Sequence, residues 1–387
     1  THGSGLEFGP IASQIASLQI VASDGAVWQI EPTNGITKSE GFPKPLEEDP
    51  AVLVNLKQDD QWFNAAVVSM GSMGIVYAVV LKATPKFWLK ERRRLVPWAK
   101  VSAPGGYIDT LIRENKPLAD TDLGLPDYYE IYVNPYKTRM FGAPDHPCLV
   151  TERWKLTEPP PVTPQNSKRG IFGSGNILAD PAAKGFTEHA LRATLDGARN
   201  DFLHTFHDLL LGALLDEDYV DRSYNVFNLG RANELRAYGI EVGFPIEQTV
   251  EVMNSFFAIA RQQEQKQYNH SVPVSLRFVK AADAYLAMQQ GRRTTMLEIG
   301  MLVGARGAGE LLLNYEKQFI AQFKGRPHWG LDLDVLRGKD SVAALYPEFP
   351  KWLAVYDQLN AKGTFDGKLT DRLGISKKPR DVEERDA

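Results

Sequence analysis

The opening stretch Thr1-His2-Gly3-Ser4-Gly5 constrains this chain more than any other. Two glycines and a serine beside a Thr and a His make a backbone that can press against a planar or anionic group, because no Cβ holds it away. Loops of this kind are anchored by a strand or helix on their N-terminal side, and none precedes this one. The expectation is a ligand-binding domain entered through its binding loop. A segment outside the sequence, cleaved off or carried by a companion chain, would complete it.

With 387 residues the chain has room for about two domains. A hydrophobic content of 43 % and a charged content of 24 % fit an ordinary soluble globular protein. The net charge of −4 offers nothing to nucleic acid or to an anionic membrane. No apolar run approaches the ~20 residues of a membrane span, and the longest, around Leu209 to Leu215, is broken by Gly212. The compartment is left open by the sequence. Cys148 is the only cysteine, which excludes an internal disulfide and a Cys-based metal site and makes it a small buried hydrophobe. Asn269-His270-Ser271 fits an N-glycosylation sequon.

Leu18 to Ile30 reads as two alternating strands joined at Asp24-Gly25. Asp49-Pro50 offers an N-cap and first-turn proline for a short helix through Leu56. Gly71 and Gly74 then punctuate the approach to Ile75–Leu81, a run of strand length. The basic cluster Lys90 to Arg94 reads as a solvated face. Composition shifts near residue 85, where a domain boundary is placed. Residues 155 to 184 read as a long exposed connection, and Thr187 to Leu215 as mainly helical. Strands are expected at 128–136, 238–244, 273–279 and 294–303, with helices at 246–265 and 308–324. This loose alternation predicts an α+β second domain.

Within strand 273–279, Ser275, Arg277 and Val279 share one face, and Val274, Leu276 and Phe278 the other. Helices on the apolar face would leave Arg277 projecting from the opposite one. There a fixed guanidinium either stabilises a developing oxyanion or makes a structural salt bridge. Glu241, beside Gly243 on its own strand face, either lines a cavity or sits on a solvated sheet face. His328, in Gly325-Arg326-Pro327-His328-Trp329-Gly330, is either a base or donor near a ligand or part of a turn. His204 and His207 lie three apart on an expected helix, without a third metal ligand. Neither a G-x-S-x-G elbow nor a Walker A loop is present.

Taken together, these motifs resemble a known group. Thr1 to Gly5, the following strand pair and Val68-Ser69-Met70-Gly71-Ser72-Met73-Gly74-Ile75-Val76 resemble the second half of the flavin domain of vanillyl-alcohol-oxidase-type (PCMH-type) flavoproteins. Pro273 to Phe278, Arg326 to Gly330, Gly363-Thr364-Phe365-Asp366 and Arg372-Leu373-Gly374 follow in the order of the sugar-lactone and alditol oxidases, with type II cholesterol oxidases as relatives. The resemblance implies an FAD-binding domain over 1–85 lacking its N-terminal half. It further implies a substrate (cap) domain with a large antiparallel sheet over 86–335, and a return to the flavin domain over 336–387.

FAD would be held by Thr1, His2, Gly3, Ser4, Gly5, Gly71, Gly74, Ile75, Val76 and His328. The implied reaction is oxidation of the CH–OH group of a sugar lactone, alditol or related small-molecule alcohol, with electrons passing to O2 or another acceptor. Arg277, Glu241, His328 and Ser275 are the candidate catalytic residues, and no metal is implied. The group carries Glu-x-Arg where this chain has Ser275 and Arg277, and a Lys where Leu331 follows the His-Trp-Gly motif. Both changes lower the polarity of the pocket, which makes a sterol-like or other apolar alcohol the alternative substrate. Glu241 would replace the absent carboxylate. A non-catalytic flavin-fold subunit for binding or assembly is the alternative of another class.

Overall fold

A computed structural model describes residues 5–47, 49–119, 123–158, 161, 200–227, 236–331 and 335–378. Thr1, His2, Gly3 and Ser4, together with nearly all of the expected connection after residue 158, lie outside the described residues. The architecture is α+β and is built on two main sheets.

The first sheet contains β1 (Ile15–Val21), β2 (Val27–Glu31), β3 (Lys44–Pro45), β4 (Leu53–Gln58) and β5 (Ile75–Leu81), in the order β3-β4-β2-β1-β5. The expected hairpin forms around Gly25, whose φ of +89° is one that glycine adopts without strain, and pairs Leu18 with Ile30. The helix expected after Asp49 does not form. Parallel pairing with β2 draws residues 53–58 into β4, setting Val54 opposite Val27, and Asp49 closes a turn by accepting from the Ala51 N–H. A helix begins instead at Asp60, where the Asp59 carboxylate accepts from the Trp62 N–H at 3.0 Å. Leu18, Ile20 and Ile30 share a core with Val342, Trp352 and Tyr356 from the C-terminal helices. Strand β5 forms the outer edge, and all seven of its residues are exposed.

The second sheet is antiparallel throughout. It comprises β6 (Trp88–Pro97), β7 (Tyr128–Val133), β10 (Pro147–Leu156), β11 (Asp216–Arg222), β12 (Ala237–Pro245), β13 (Val274–Val279), β14 (Thr294–Leu302) and β15 (Arg326–Pro327). The order is β11-β6-β10-β7-β13-β14-β12-β15, and the small pair β8 (Thr138–Phe141) and β9 (Ala143–Asp145) stands apart from it.

Period-two alternation gives this sheet two unlike faces. Ile131, Leu276, Leu297 and Val242 point to one side, where they pack on Met253 and Phe256 of helix Thr249–Glu264 and on Leu311, Tyr315 and Phe319 of helix Ala308–Phe323. Each such side chain contributes roughly 1.5–3 kcal/mol on burial. Cys148 lies in this core, as its lone occurrence suggested.

One sequence expectation fails here. The basic cluster is the interior of β6: Glu91 and Arg93 are buried on one face, and Arg92 and Arg94 clamp buried Glu152 at 2.8 and 3.0 Å on the other. Local charge density concealed the alternation. The sequon residues Asn269, His270 and Ser271 are all buried, so an attached glycan has no room.

Candidate active site

The other face of the eight-stranded sheet carries charge. Cross-strand register places Arg93, Thr151, Glu130 and Arg277 in one row, and Tyr132, Ser275, Glu298 and Glu241 in the next. Directly opposed side chains on adjacent strands lie within contact range, so a lone charge in each of several apolar strands becomes a cluster.

Arg277 is the centre of that cluster. Its Nε donates to Glu130 Oε1 at 3.3 Å, its Nη2 lies 2.8 Å from Glu298 Oε2, and its Nη1 lies 3.9 Å from Glu241 Oε1. Burial alone would lower the pKa of this guanidinium. Glu130 and Glu298, with Tyr132 and Glu241, outweigh that cost and raise it, so the positive charge is locked in. Burial also works against ionisation of Glu130, but Arg153, Arg277 and Arg93 hold its carboxyl below the usual carboxylate range, helped by a hydrogen bond from the Tyr132 hydroxyl. Behind it, Arg153 Nε donates to Glu91 Oε2 at 2.6 Å, so the network is anchored in the sheet. Arg277 keeps 23 % of its side chain exposed, and Glu298 keeps 40 %. Glu130 and Glu241 are shut in at 9 % and 2 %.

The His328 N–H donates to the Glu241 carbonyl at 2.9 Å, extending the β12–β15 pairing by one residue. His328 therefore joins the row of Glu241, Glu298 and Ser275. The Gly330 N–H donates to His328 Nδ1 at 3.0 Å, so the neutral ring carries its proton on Nε2 and acts as a donor. The neighbouring Trp329 points elsewhere: its Nε1 donates to the Leu286 carbonyl at 2.8 Å, and its ring packs 5.5 Å from Tyr346. All four sequence candidates for catalysis, Ser275, Arg277, Glu241 and His328, thus meet on one sheet face.

Glu298, Glu130 and Tyr132 were not singled out from the sequence. The available signal was a single charged residue inside an apolar strand: Glu298 in Thr294–Leu302, Glu130 in Tyr128–Val133.

Of the described cofactor candidates, His328 lies on the charged face, whereas Gly71, Gly74, Ile75 and Val76 lie on or just before β5 of the other sheet. Gly5 bridges to Val279 at the end of β13. A Cβ on Gly5 would meet the Asp127 carbonyl oxygen at 2.2 Å, so close backbone contact requires the glycine. Gly74 is confined in the same way by the Val21 carbonyl oxygen at 2.5 Å. Gly71, at φ +68°, has no heavy atom within 4 Å of its missing Cβ and leaves its main chain open on that side. It leads into Ile75 and Val76 at the head of the exposed apolar strand β5. An open glycine backbone beside uncovered apolar side chains fits a planar, largely apolar ring system such as a flavin.

A cavity of about 600 Å³ lies off the sheet, between residues 7–15, the helix Asp60–Ala66 and residues 280–284. None of the four catalytic candidates lines it, and its rim mixes Lys82 and Lys280 with Glu7, Asp60 and Asp283. The convergence of fixed charges on Arg277, rather than volume, locates the candidate site. Among the described residues no metal-ligand group gathers at His204 and His207: His204 Nε2 lies 2.6 Å from Glu264 Oε1, and His207 is buried with Nδ1 on the Leu203 carbonyl.

Comparison with known proteins bears on the family and the fold. The sequence matches the D-arabinono-1,4-lactone oxidase family over residues 176–373. It is 24 % identical over 382 residues to L-gulono-1,4-lactone dehydrogenase of Mycobacterium tuberculosis, an alignment that covers 96 % of this chain and 71 % of the relative. In fold it is similar to cholesterol oxidase from B. sterolicum, at a TM-score of 0.63 and 14 % identity, covering 96 % of this chain and 71 % of that one. A solvent-stable cholesterol oxidase gives the same TM-score and identity, with 95 % and 70 % covered.

Proposed function

This chain belongs to the D-arabinono-1,4-lactone oxidase family, oxidoreductases of the vanillyl-alcohol-oxidase type, and we propose that it oxidises the CH–OH group of a sugar lactone with FAD as cofactor. One observation carries the proposal: Arg277, a permanently charged donor, is fixed by three carboxylates, two of them buried, and remains partly open on a polar sheet face.

Gly5, Gly71, Gly74, Ile75, Val76 and His328 are the described residues that would hold the flavin, with Thr1, His2, Gly3 and Ser4 ahead of them. Bound there, FAD supplies the acceptor for the hydride of the substrate's C–H bond. The chain's own groups handle the oxygen. Arg277 donates to the substrate oxygen, which becomes a carbonyl as its O–H proton passes to solvent at the open side of this face, and the fixed position of the guanidinium needs no reorganisation as charge develops. His328 adds a second donor through Nε2, with Glu241 and Ser275 setting the surroundings of that row. Because opposed carboxylates hold Arg277, its orientation is set before substrate arrives. We further propose the division 1–85, 86–335 and 336–387, with the flavin held by the first and last parts and the substrate by the middle one.

The polyhydroxylated reading suits this face better than the apolar-alcohol reading, because Glu298 supplies an exposed carboxylate beside Ser275. Electrons pass onward to O2 or another acceptor. The test is a visible absorption spectrum of the purified protein, followed by turnover on D-arabinono-1,4-lactone, L-gulono-1,4-lactone and a sterol, with and without oxygen. Flavin bands and lactone turnover are expected. A colourless folded protein, or turnover of the sterol alone, would overturn the proposal.

A further inference from the structure

Three carboxylates surround the one guanidinium of Arg277, and they differ in what they can reach. Glu130 and Glu241 are buried and serve the sheet. Glu298 is open to solvent on the same face. Among the described residues its two hydrogen bonds, from Ser275 Oγ at 3.2 Å and from Arg277 Nη2 at 2.8 Å, both go to Oε2. Oε1 is left to solvent or to a ligand, and the carboxylate plane is held by two donors from the neighbouring strand β13.

We infer that Glu298 touches substrate, accepting a hydrogen bond from a ring hydroxyl of a neutral lactone, and that it turns away the ring-opened aldonate. The inference rests on the lactone-oxidising reading above and specifies its substrate. With Glu91, Arg93 and Arg153 behind Glu130 included, the cluster sets four carboxylates against three guanidiniums, so Arg277 has no unbalanced charge to offer an anionic substrate. A carboxylate arriving beside Glu298 meets a like charge, and juxtaposed like charges at a binding surface cost enough to exclude a ligand. A neutral hydroxyl meets a strong, oriented acceptor.

Flavin-loaded wild-type protein and Glu298→Gln are compared for turnover of D-arabinono-1,4-lactone and for competitive inhibition by D-arabinonate. Loss of one charge-assisted hydrogen bond is expected to lower kcat/KM for the lactone roughly 10- to 100-fold, chiefly through KM. Loss of the negative charge is expected to tighten the arabinonate inhibition constant by about 10-fold. Flavin spectrum and melting temperature should match wild type. Wild-type kcat/KM together with a wild-type inhibition constant in Glu298→Gln overturns the inference.

Should that variant fail to take up flavin, Glu298→Asp decides, since it keeps the charge and shortens the reach. The expected result is a lowered lactone kcat/KM with an unchanged arabinonate constant, and full lactone activity overturns the inference. The two claims fail separately. A wild-type protein that no lactone reduces removes the proposed function and this inference with it, whereas an active wild type matched by Glu298→Gln removes only the role of Glu298.

Discussion

The two faces of the eight-stranded sheet are made by the same strands and serve opposite ends. On one, Leu276 and Phe278 are buried against Leu297 and the two long helices. On the other, one residue along in the same strand, Ser275 and Arg277 meet Glu298 and Glu130. Apolar burial is non-directional and tolerates a range of shapes. The charged face requires each partner in place, because a buried charge that loses its counter-ion is costly. Stability and chemistry are therefore separated by a single step along β13, and substitutions on either side should have different consequences.

The largest effect is expected on the charged face. Arg277→Ala removes the fixed donor and leaves Glu130 buried without one of its partners. Turnover by the flavin-loaded enzyme should fall about 10²- to 10³-fold, and unfolding stability by roughly 3–5 kcal/mol. Arg277→Lys keeps the charge and loses the fork, so it should recover stability more than rate. Rapid-reaction flavin reduction and calorimetry measure the two quantities. Equal recovery of both would break the distinction between the faces.

Phe278→Ala tests the apolar face. It should cost about 3–5 kcal/mol of stability while kcat per bound flavin stays within a few-fold of wild type at a temperature where the variant is folded. A large fall in kcat would show that the faces are not separable.

Acid should attack from the helix side. Burial lowers His207 and His146 from the usual 6.5 to about 4, and His270 to about 3. These rings are neutral when folded. Below pH 6.5 the unfolded chain takes up protons that the folded chain refuses, so stability is complete above that pH and declines as pH falls toward 4. The melting temperature should drop over this window, and His207→Gln should make the drop shallower. A melting temperature flat from pH 7 to 4 would contradict the burial of these rings.

Ser275→Ala should have the smallest effect. One hydroxyl donor to Glu298 is removed while Arg277 still holds the carboxylate. A loss of roughly 1 kcal/mol is expected, about five-fold in kcat/KM with unchanged stability.

Much of the larger sheet was legible in the sequence because its strands alternate so regularly. The segment 273–279 declared both its faces, and the helices at 246–265 and 308–324 appear within a few residues of their expected limits. The site was legible only in part. Arg277, Ser275, Glu241 and His328 could be nominated one strand at a time, but their meeting depends on the order β7-β13-β14-β12, which no local pattern encodes. Glu298 lies 23 residues after Ser275 and becomes its hydrogen-bond partner only through the β13–β14 register. The Asp49-Pro50 signal misled because long-range parallel pairing outweighed a local helix start. The Lys90–Arg94 run misled because Glu91, Arg92 and Arg94 find buried partners on β10, about sixty residues away.

The central claim is that a flavin held by this chain takes a hydride from a sugar lactone oriented by Arg277. The most direct measurement is anaerobic mixing of the flavin-loaded protein with D-arabinono-1,4-lactone while the visible flavin absorbance is followed, in wild type and in Arg277→Ala. Bleaching of the wild-type flavin is expected, and bleaching at least 100-fold slower in the variant. A wild-type flavin that no lactone bleaches, or an Arg277→Ala that bleaches at the wild-type rate, would contradict the claim.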